Sequence, residues 1–261
     1  MKRSGSIASK IIPWTALAVL LVIWEAAVRL TQVPVYILPG PVQILTTLGA
    51  SWDLLMSHTG VTLLEAVVGF ALAVAVAFIV AFVLNQIYWL NQALMPLLVV
   101  SQTIPIITLA PLFLIWFGWG MLPKVLVVIL VCFFPVVINL LNGFNSVDAD
   151  LINLFRSMGA GRLAIFRMVK LPSALPGFFA GLKISASYAI MSAVIGEWLG
   201  AQQGLGYYMT IAQKSFRVDR VLAAVMIITA LSLLWVKLIE WLETHTMPWA
   251  AHERKWELDQ L

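Results

Sequence analysis

Few residues in this chain could do chemistry, and those that could stand out against the apolar sequence around them. Glu65, Lys183 and Glu197 sit within or at the end of apolar runs, where an ionised side chain in hydrocarbon is costly unless it is paired or faces water. Ser101, Gln102, Thr103, Pro105, Thr108 and Pro111 interrupt another run. Prolines free backbone carbonyls, and inside a membrane such groups must face protein or a water-filled cavity. The chemistry on offer is passage of a polar solute rather than the making of bonds. Enzyme signatures are missing: no phosphate-cradling glycine loop followed by Lys and Ser or Thr, no HExxH and no GxSxG elbow. His58, His245 and His252 are scattered, and the single cysteine, Cys132, lies in an apolar run and reads as a small core hydrophobe. No residues of this chain are expected to bind a metal or cofactor. Any energy source other than an ion gradient must come from another subunit.

The elements that position these residues follow from composition. Hydrophobic residues make up 62% of 261 and charged ones 11%, and mean hydropathy is +0.97; a water-soluble domain would not show these values. The chain reads as one all-α, polytopic membrane domain. Spans of roughly 20 residues cross a hydrocarbon core of about 30 Å, and six candidates result, near 11–28, 61–84, 94–117, 122–142, 174–195 and 221–242. An even number puts both termini on one side. Lys2, Arg3, Lys10, Arg156, Arg162, Arg167, Lys170, Arg254 and Lys255 would share it, against Arg29, Lys124, Lys214, Arg217 and Arg220 opposite; that bias makes the first side cytoplasmic. The expected organisation is a cytoplasmic N-terminus at 1–10, a transmembrane domain at 11–242 with a polar loop at 148–172, and a cytoplasmic tail at 243–261. The first span reads as a retained signal-anchor, because no small-residue cleavage site precedes Glu25. The net charge of +4 is spread over span boundaries rather than gathered on one face, which argues against nucleic acid.

Depth sets the alternatives for the buried charges. Lys183 is about 13 Å from the cytoplasmic end of its span and Glu65 about 6 Å from the outer end of its own, so a direct pair would bridge roughly 10 Å of depth. Lys183 is either a structural lysine bonded to helix carbonyls or a residue lining the pathway. Glu197 precedes a glycine-rich outer segment containing Gly200, Gly204 and Gly206, and is either part of a gate or docking surface or a helix-end carboxylate at the interface. The interrupted third span is either a pathway wall or a kinked packing helix. Glu25, Lys237 and Glu240 are near span ends and are assigned no function.

The polar stretch from Asp148 to Pro172, DADLINLFRSMGAGRLAIFRMVKLP, lies between the fourth and fifth spans. Leu151, Leu154, Phe155 and Met158 fall on one helical face, and Gly159 suits a left-handed stop. The spacing predicts a short amphipathic helix at the membrane surface, with an apolar stripe that needs a partner groove.

This stretch resembles the loop of permeases from ATP-binding-cassette importers: EAA, three residues, Gly, nine residues, Ile, one residue, then Leu-Pro. Gly159 is followed here at the same spacing by Val169, Lys170, Leu171 and Pro172, while Asn153, Leu154 and Phe155 replace the EAA triplet. Further segments narrow the likeness to the nitrate, taurine and aliphatic sulfonate group. They are LPGP from Leu38, PIITLAPLFLIWFGWG from Pro105, LPSALPGFFAGLKIS from Leu171 and GEWLGAQQGLGYYM from Gly196. The EWLG run and NSVDADLINLFRSMGA look most like members that import pyrimidine precursors of thiamine.

The resemblance implies a six-helix, type I importer (MetI-like) permease of a bacterial inner membrane, with both termini cytoplasmic. It implies a permease homodimer working with an ABC ATPase dimer, which holds ATP and Mg, and with an outer solute-binding protein. It assigns the ATPase-coupling role to Asp150, Leu151, Asn153, Leu154, Phe155, Arg156, Met158, Gly159, Arg162, Leu171 and Pro172. Pathway candidates are Ser101, Gln102, Thr103, Pro105, Thr108, Lys183 and Glu197. Two rivals stay open. An ion-coupled secondary transporter needs paired intramembrane charges and usually internal repeats, and a membrane enzyme needs a catalytic constellation.

Overall fold

The computed structural model describes residues 7–248, and every regular element in that range is helical. The residues read as the extreme termini, Met1 to Ser6 and Trp249 to Leu261, with Lys2, Arg3, Arg254 and Lys255, lie outside the described range. In chain order the elements are α1 (Ile7–Thr31), α2 (Pro41–Ala50), α3 (Trp52–Gln86), α4 (Tyr88–Ser101) and α5 (Ile106–Phe117). They continue with α6 (Met121–Asn145), α7 (Ala149–Ser157), α8 (Arg162–Ile165), a π-helical turn (Phe166–Lys170), α9 (Leu171–Trp198), α10 (Leu205–Lys214) and α11 (Val218–Thr246).

Among the described residues five helices are long and apolar enough to cross a membrane. The expected third span is not one helix: α4 and α5 meet at a bend of 98°, and only when taken together do they supply a sixth crossing. The break is physical. Pro105 cannot donate to a helical ladder, and it stands at the N-cap of α5 while the chain from Gln102 to Ile104 turns. The other spans were placed correctly but drawn too short. α3 has 35 residues, about 52 Å at the helical rise and longer than the hydrocarbon is thick. α11 runs on to Thr246, so Glu243 belongs to a helix and not to the tail assigned to 243–261.

The second half of the polar loop is helical as well. α8, the π turn and α9 form one apolar stretch, Arg162–Trp198. The ladder widens where Pro172, lacking an N–H, approaches: the Leu171 N–H donates to the Phe166 carbonyl, five residues back. Leu171 and Pro172 therefore open α9 rather than end a loop.

At the centre α6 packs along α9, with α3 and α11 against them. The close approach depends on small residues. A Cβ on Gly177 would come 2.7 Å from the Asn139 carbonyl oxygen, and one on Gly181 would come 2.7 Å from that of Pro135. These glycines, one turn apart, form a GxxxG face that lets two backbones meet. Cys132 and Ser185 close the same seam: Ser185 Oγ donates to the Cys132 carbonyl at 2.8 Å. α3 approaches with a ladder of Ala66, Ala73, Ala77 and Ala81, each buried.

Gly181→Leu should lower the stability of the detergent-solubilised chain by about 1–3 kcal/mol through overpacking, read as a fall in the thermal unfolding midpoint. Gly60→Leu, where a Cβ meets nothing within 4 Å, should leave that midpoint unchanged or raise it.

Candidate functional site

Helix α7 is fixed at both ends by local chemistry. Asp148 is its N-cap and accepts a hydrogen bond from the Asp150 N–H at 2.8 Å. At the other end Gly159 takes φ +82°, and the Ala160 N–H returns to the Phe155 carbonyl. Arg156 stands in the last turn, where the helix dipole favours a cation. Leu151 and Leu154 of the nine-residue α7, and Met158 at its C-cap, are 40%, 54% and 74% exposed. Phe155 differs from the other stripe residues in being half-buried, as is Ile152. Ile152 lines a 260 Å³ hollow between α7 and the helices, with Asn85, Arg156, Arg162, Phe166 and Lys170 around it. Lys170 Nζ donates to Asn85 Oδ1 at 2.9 Å, tying the loop to the end of α3.

A second cavity, of about 390 Å³, opens where α4 breaks. Ser101, Gln102, Thr103 and Pro105 line one side of it, and Phe134, Tyr188, Met191 and Ser192 from α6 and α9 line the other. Thr108 is not among the lining residues; its hydroxyl donates to the Pro105 carbonyl at 2.6 Å, capping α5. Neither Lys183 nor Glu197 reaches this cavity.

Lys183 is paired across to α11. Its Nζ lies 2.9 Å from Glu243 Oε2, so its partner is a carboxylate and not the helix carbonyls that one reading supposed. Glu65 likewise does not meet Lys183; it accepts from Lys124 Nζ at 2.7 Å. Lys124, expected among the outer-face charges, is buried at 8% exposure.

Glu197, 1% exposed, is buried rather than at an interface. It accepts from Thr62 Oγ1 at 2.6 Å and from the Gly206 N–H. Thr62 Oγ1 in turn accepts from the Leu205 N–H, and His58 Nδ1 accepts from the Gly204 N–H at 3.0 Å. The glycine-rich segment read as flexible is therefore pinned by α3 and leads into α10. Gly204 at φ +110° makes the turn into that helix.

At the same end of the bundle Asp219, fully buried, accepts from Thr47 Oγ1 at 2.8 Å and from Arg217 Nε and Nη2 at 2.9 and 2.8 Å. Hydrogen bonding to that carboxylate holds the Arg217 guanidinium above its ordinary pKa. Glu25, assigned no function from sequence, accepts from Arg29 Nε at 2.6 Å and from the Val42 N–H at 3.1 Å, which anchors the first turn of α2 to α1.

Sequence reasoning missed the Glu65–Lys124 pair, Asp219, Thr62, His58 and Glu243. A signal for the first was present: Glu65 and Lys124 both fall a few residues inside the same ends of their spans, and so at matching depth.

Residues 73–247 match the family described as binding-protein-dependent transport system inner membrane component. A probable ABC transporter permease protein of Haemophilus influenzae is 37% identical, over 92% of this chain and 97% of that protein. The formylaminopyrimidine transport permease protein ThiX of Halalkalibacterium halodurans is also 37% identical, over 88% and 92%. The taurine transport system permease protein TauC of Escherichia coli is 29% identical, over 89% and 87%. Among solved structures, the inward-facing MetNI methionine ABC transporter aligns with a TM-score of 0.52 at 18% identity, over 71% of this chain and 93% of that one. That likeness is one of fold.

Lys124→Met alone leaves a buried carboxylate uncompensated and should cost about 3–5 kcal/mol. Adding Glu65→Gln to it should recover most of that loss. Thermal unfolding of the single and double variants in detergent checks the coupling, and a single variant as stable as the parent would show the pair to be incidental.

Proposed function

The chain belongs to the family of binding-protein-dependent transport system inner membrane components, and from that premise we propose how it works as an ABC importer permease and what it carries. The observation that carries the mechanism is α7, a capped amphipathic helix whose apolar residues Leu151, Leu154 and Met158 are exposed. Exposed apolar side chains beside Arg156 and Arg162 are suited to a groove on a soluble partner. We assign that partner as the ABC ATPase, which holds ATP and Mg and works as a dimer beneath a permease homodimer. Asp150, Leu151, Asn153, Leu154, Phe155, Arg156, Met158, Gly159 and Arg162 form the coupling element, with Leu171 and Pro172 starting the helix that carries its motion inward.

On this reading the α7 end faces the cytoplasm, as do both termini, and the opposite end, with α2 and α10, receives solute from a binding protein. The bias of Lys and Arg supports that orientation. Closure of the ATPase dimer would displace α7 and rock the spans between inward- and outward-open states. The cavity lined by Ser101, Gln102, Thr103 and Pro105 then lies on the route. Thr108 supports its wall by capping α5 at Pro105, while Lys183 and Glu197 hold α9 to its neighbours away from the cavity. For the solute we favour a thiamine pyrimidine precursor over aliphatic sulfonates, taurine or nitrate, since the formylaminopyrimidine transport permease of Halalkalibacterium halodurans is alike over most of the chain. An ion-coupled carrier finds no support in the family.

Leu154→Asp puts a charge where the coupling helix would be buried in the ATPase. The variant should insert normally, yet retain less than about a tenth of the ATPase in a mild-detergent pull-down, the equivalent of losing roughly 1.4 kcal/mol or more of binding. Full retention of the ATPase together with wild-type uptake would remove α7 from the interface.

A further inference from the structure

Three cations from three elements converge on the 260 Å³ hollow behind α7: Arg156 of α7, Arg162 of α8 and Lys170 of the π turn. Arg156 and Lys170 are close enough to repel each other. No Asp or Glu lines the hollow, and no ion pair among the described residues involves any of the three. Like charges gathered without a carboxylate between them repel, and an anion that bridges them reverses the sign of the interaction. The walls are also rich in donors. Each guanidinium carries five N–H groups, Lys170 keeps two after its bond to Asn85, and the Gln86 amide adds its own. These groups are open to a ligand, for Arg156, Arg162 and Gln86 are exposed and Lys170 is half-buried. Their complement is an anion made of acceptors.

Position selects among anions. Asn85 and Gln86 end α3, and Arg162 begins the apolar stretch Arg162–Trp198, so the hollow lies where two membrane-crossing helices reach the surface. Ile165 and Phe166 give it an apolar wall beside the cations. Basic pockets between spans at this level suit lipid headgroups. We propose that the hollow binds a phosphate group, supplied by the headgroup of an anionic phospholipid. The arginine forks match phosphate oxygens, and the carbons next to the phosphate lie along Ile165 and Phe166. A zwitterionic headgroup fits less well, because its own ammonium joins three cations. Leu151, Leu154 and Met158 are not among the walls, so a bound lipid leaves the apolar stripe free and ties α7 to the ends of α3 and α9. The proposal goes beyond the importer reading and does not depend on it.

The test uses Gln86→Cys in the full chain in a neutral detergent, reacted with an uncharged, water-soluble maleimide. Cys132 is fully buried and does not compete. Dioctanoyl phosphatidylglycerol at about 0.5 mM should slow modification about five-fold or more, as a site with a Kd of about 0.1 mM requires, and dioctanoyl phosphatidylcholine should leave the rate nearly unchanged. In Arg162→Gln the same protection should need about five times more lipid. Native mass spectrometry of the unsubstituted chain, which should retain phosphatidylglycerol in preference to phosphatidylcholine, gives a second reading without any cysteine. Inorganic phosphate at the same concentration separates the two sources. No protection by it assigns the site to the headgroup, whereas protection equal to that of the lipid assigns the site to free phosphate and overturns the lipid assignment. Equal protection by both lipids, or by neither, overturns the proposal. Protection that arises only when the ATPase is added also overturns it and gives the hollow to an acidic side chain of that partner.

Discussion

Hydrocarbon hydrates nothing, so each charge inside this bundle must be matched by another side chain, and that requirement fixes which helices stand together. Glu65 and Lys124 join α3 to α6, Lys183 and Glu243 join α9 to α11, and Asp219 draws Thr47 of α2 to the start of α11. Such pairs add little net stability over apolar packing, but breaking one strands a charge at a cost of several kcal/mol. They therefore act as registration marks. The packing they register is close because its seam is made of glycine, alanine and serine, and α6 and α9 meet backbone to backbone at Gly177 and Gly181.

The same two helices link the ends of the molecule. α6 begins beside Lys124 and ends three residues before α7, while α9 starts from the π turn after α7 and finishes one residue past Glu197. α7 is thus joined at both ends to two closely packed helices, whose far ends carry the polar cluster. The break at Gln102 to Pro105 lies beside this pair and leaves open the cavity between α5, α6 and α9. Irregular backbone at this position is tolerated because it borders protein and a cavity and not lipid alone.

Much of this was legible in the chain. The apolar spacing of α7 and the stop at Gly159 are short-range signals, and they place the helix and its C-terminal end. Apolar runs located every span, but a hydropathy window sees lipid thickness and not helix length, so α3 and α11 emerged short. The third run read as a single span because its composition is apolar throughout; only Pro105, among several prolines, ends a helix. Ion pairing was the least legible part. Depth alone sets Lys183 apart from Glu65, and its partner, Glu243, lies past the expected end of the sixth span, on the part of α11 that the apolar run does not mark. The GxxxG face from Gly177 to Gly181 is present in the chain as GFFAG, and the approach of α6 is what shows it to be a packing face.

The central claim is that this membrane domain is moved by ATP hydrolysed on a partner and not by an ion gradient. The measurement closest to it is solute uptake by proteoliposomes holding the chain with its ATPase and binding protein, with formylaminopyrimidine as solute and protonophore and sodium ionophore present. The account predicts uptake that needs ATP and survives both ionophores. Uptake that proceeds without ATP and collapses when the gradients are dissipated would contradict it.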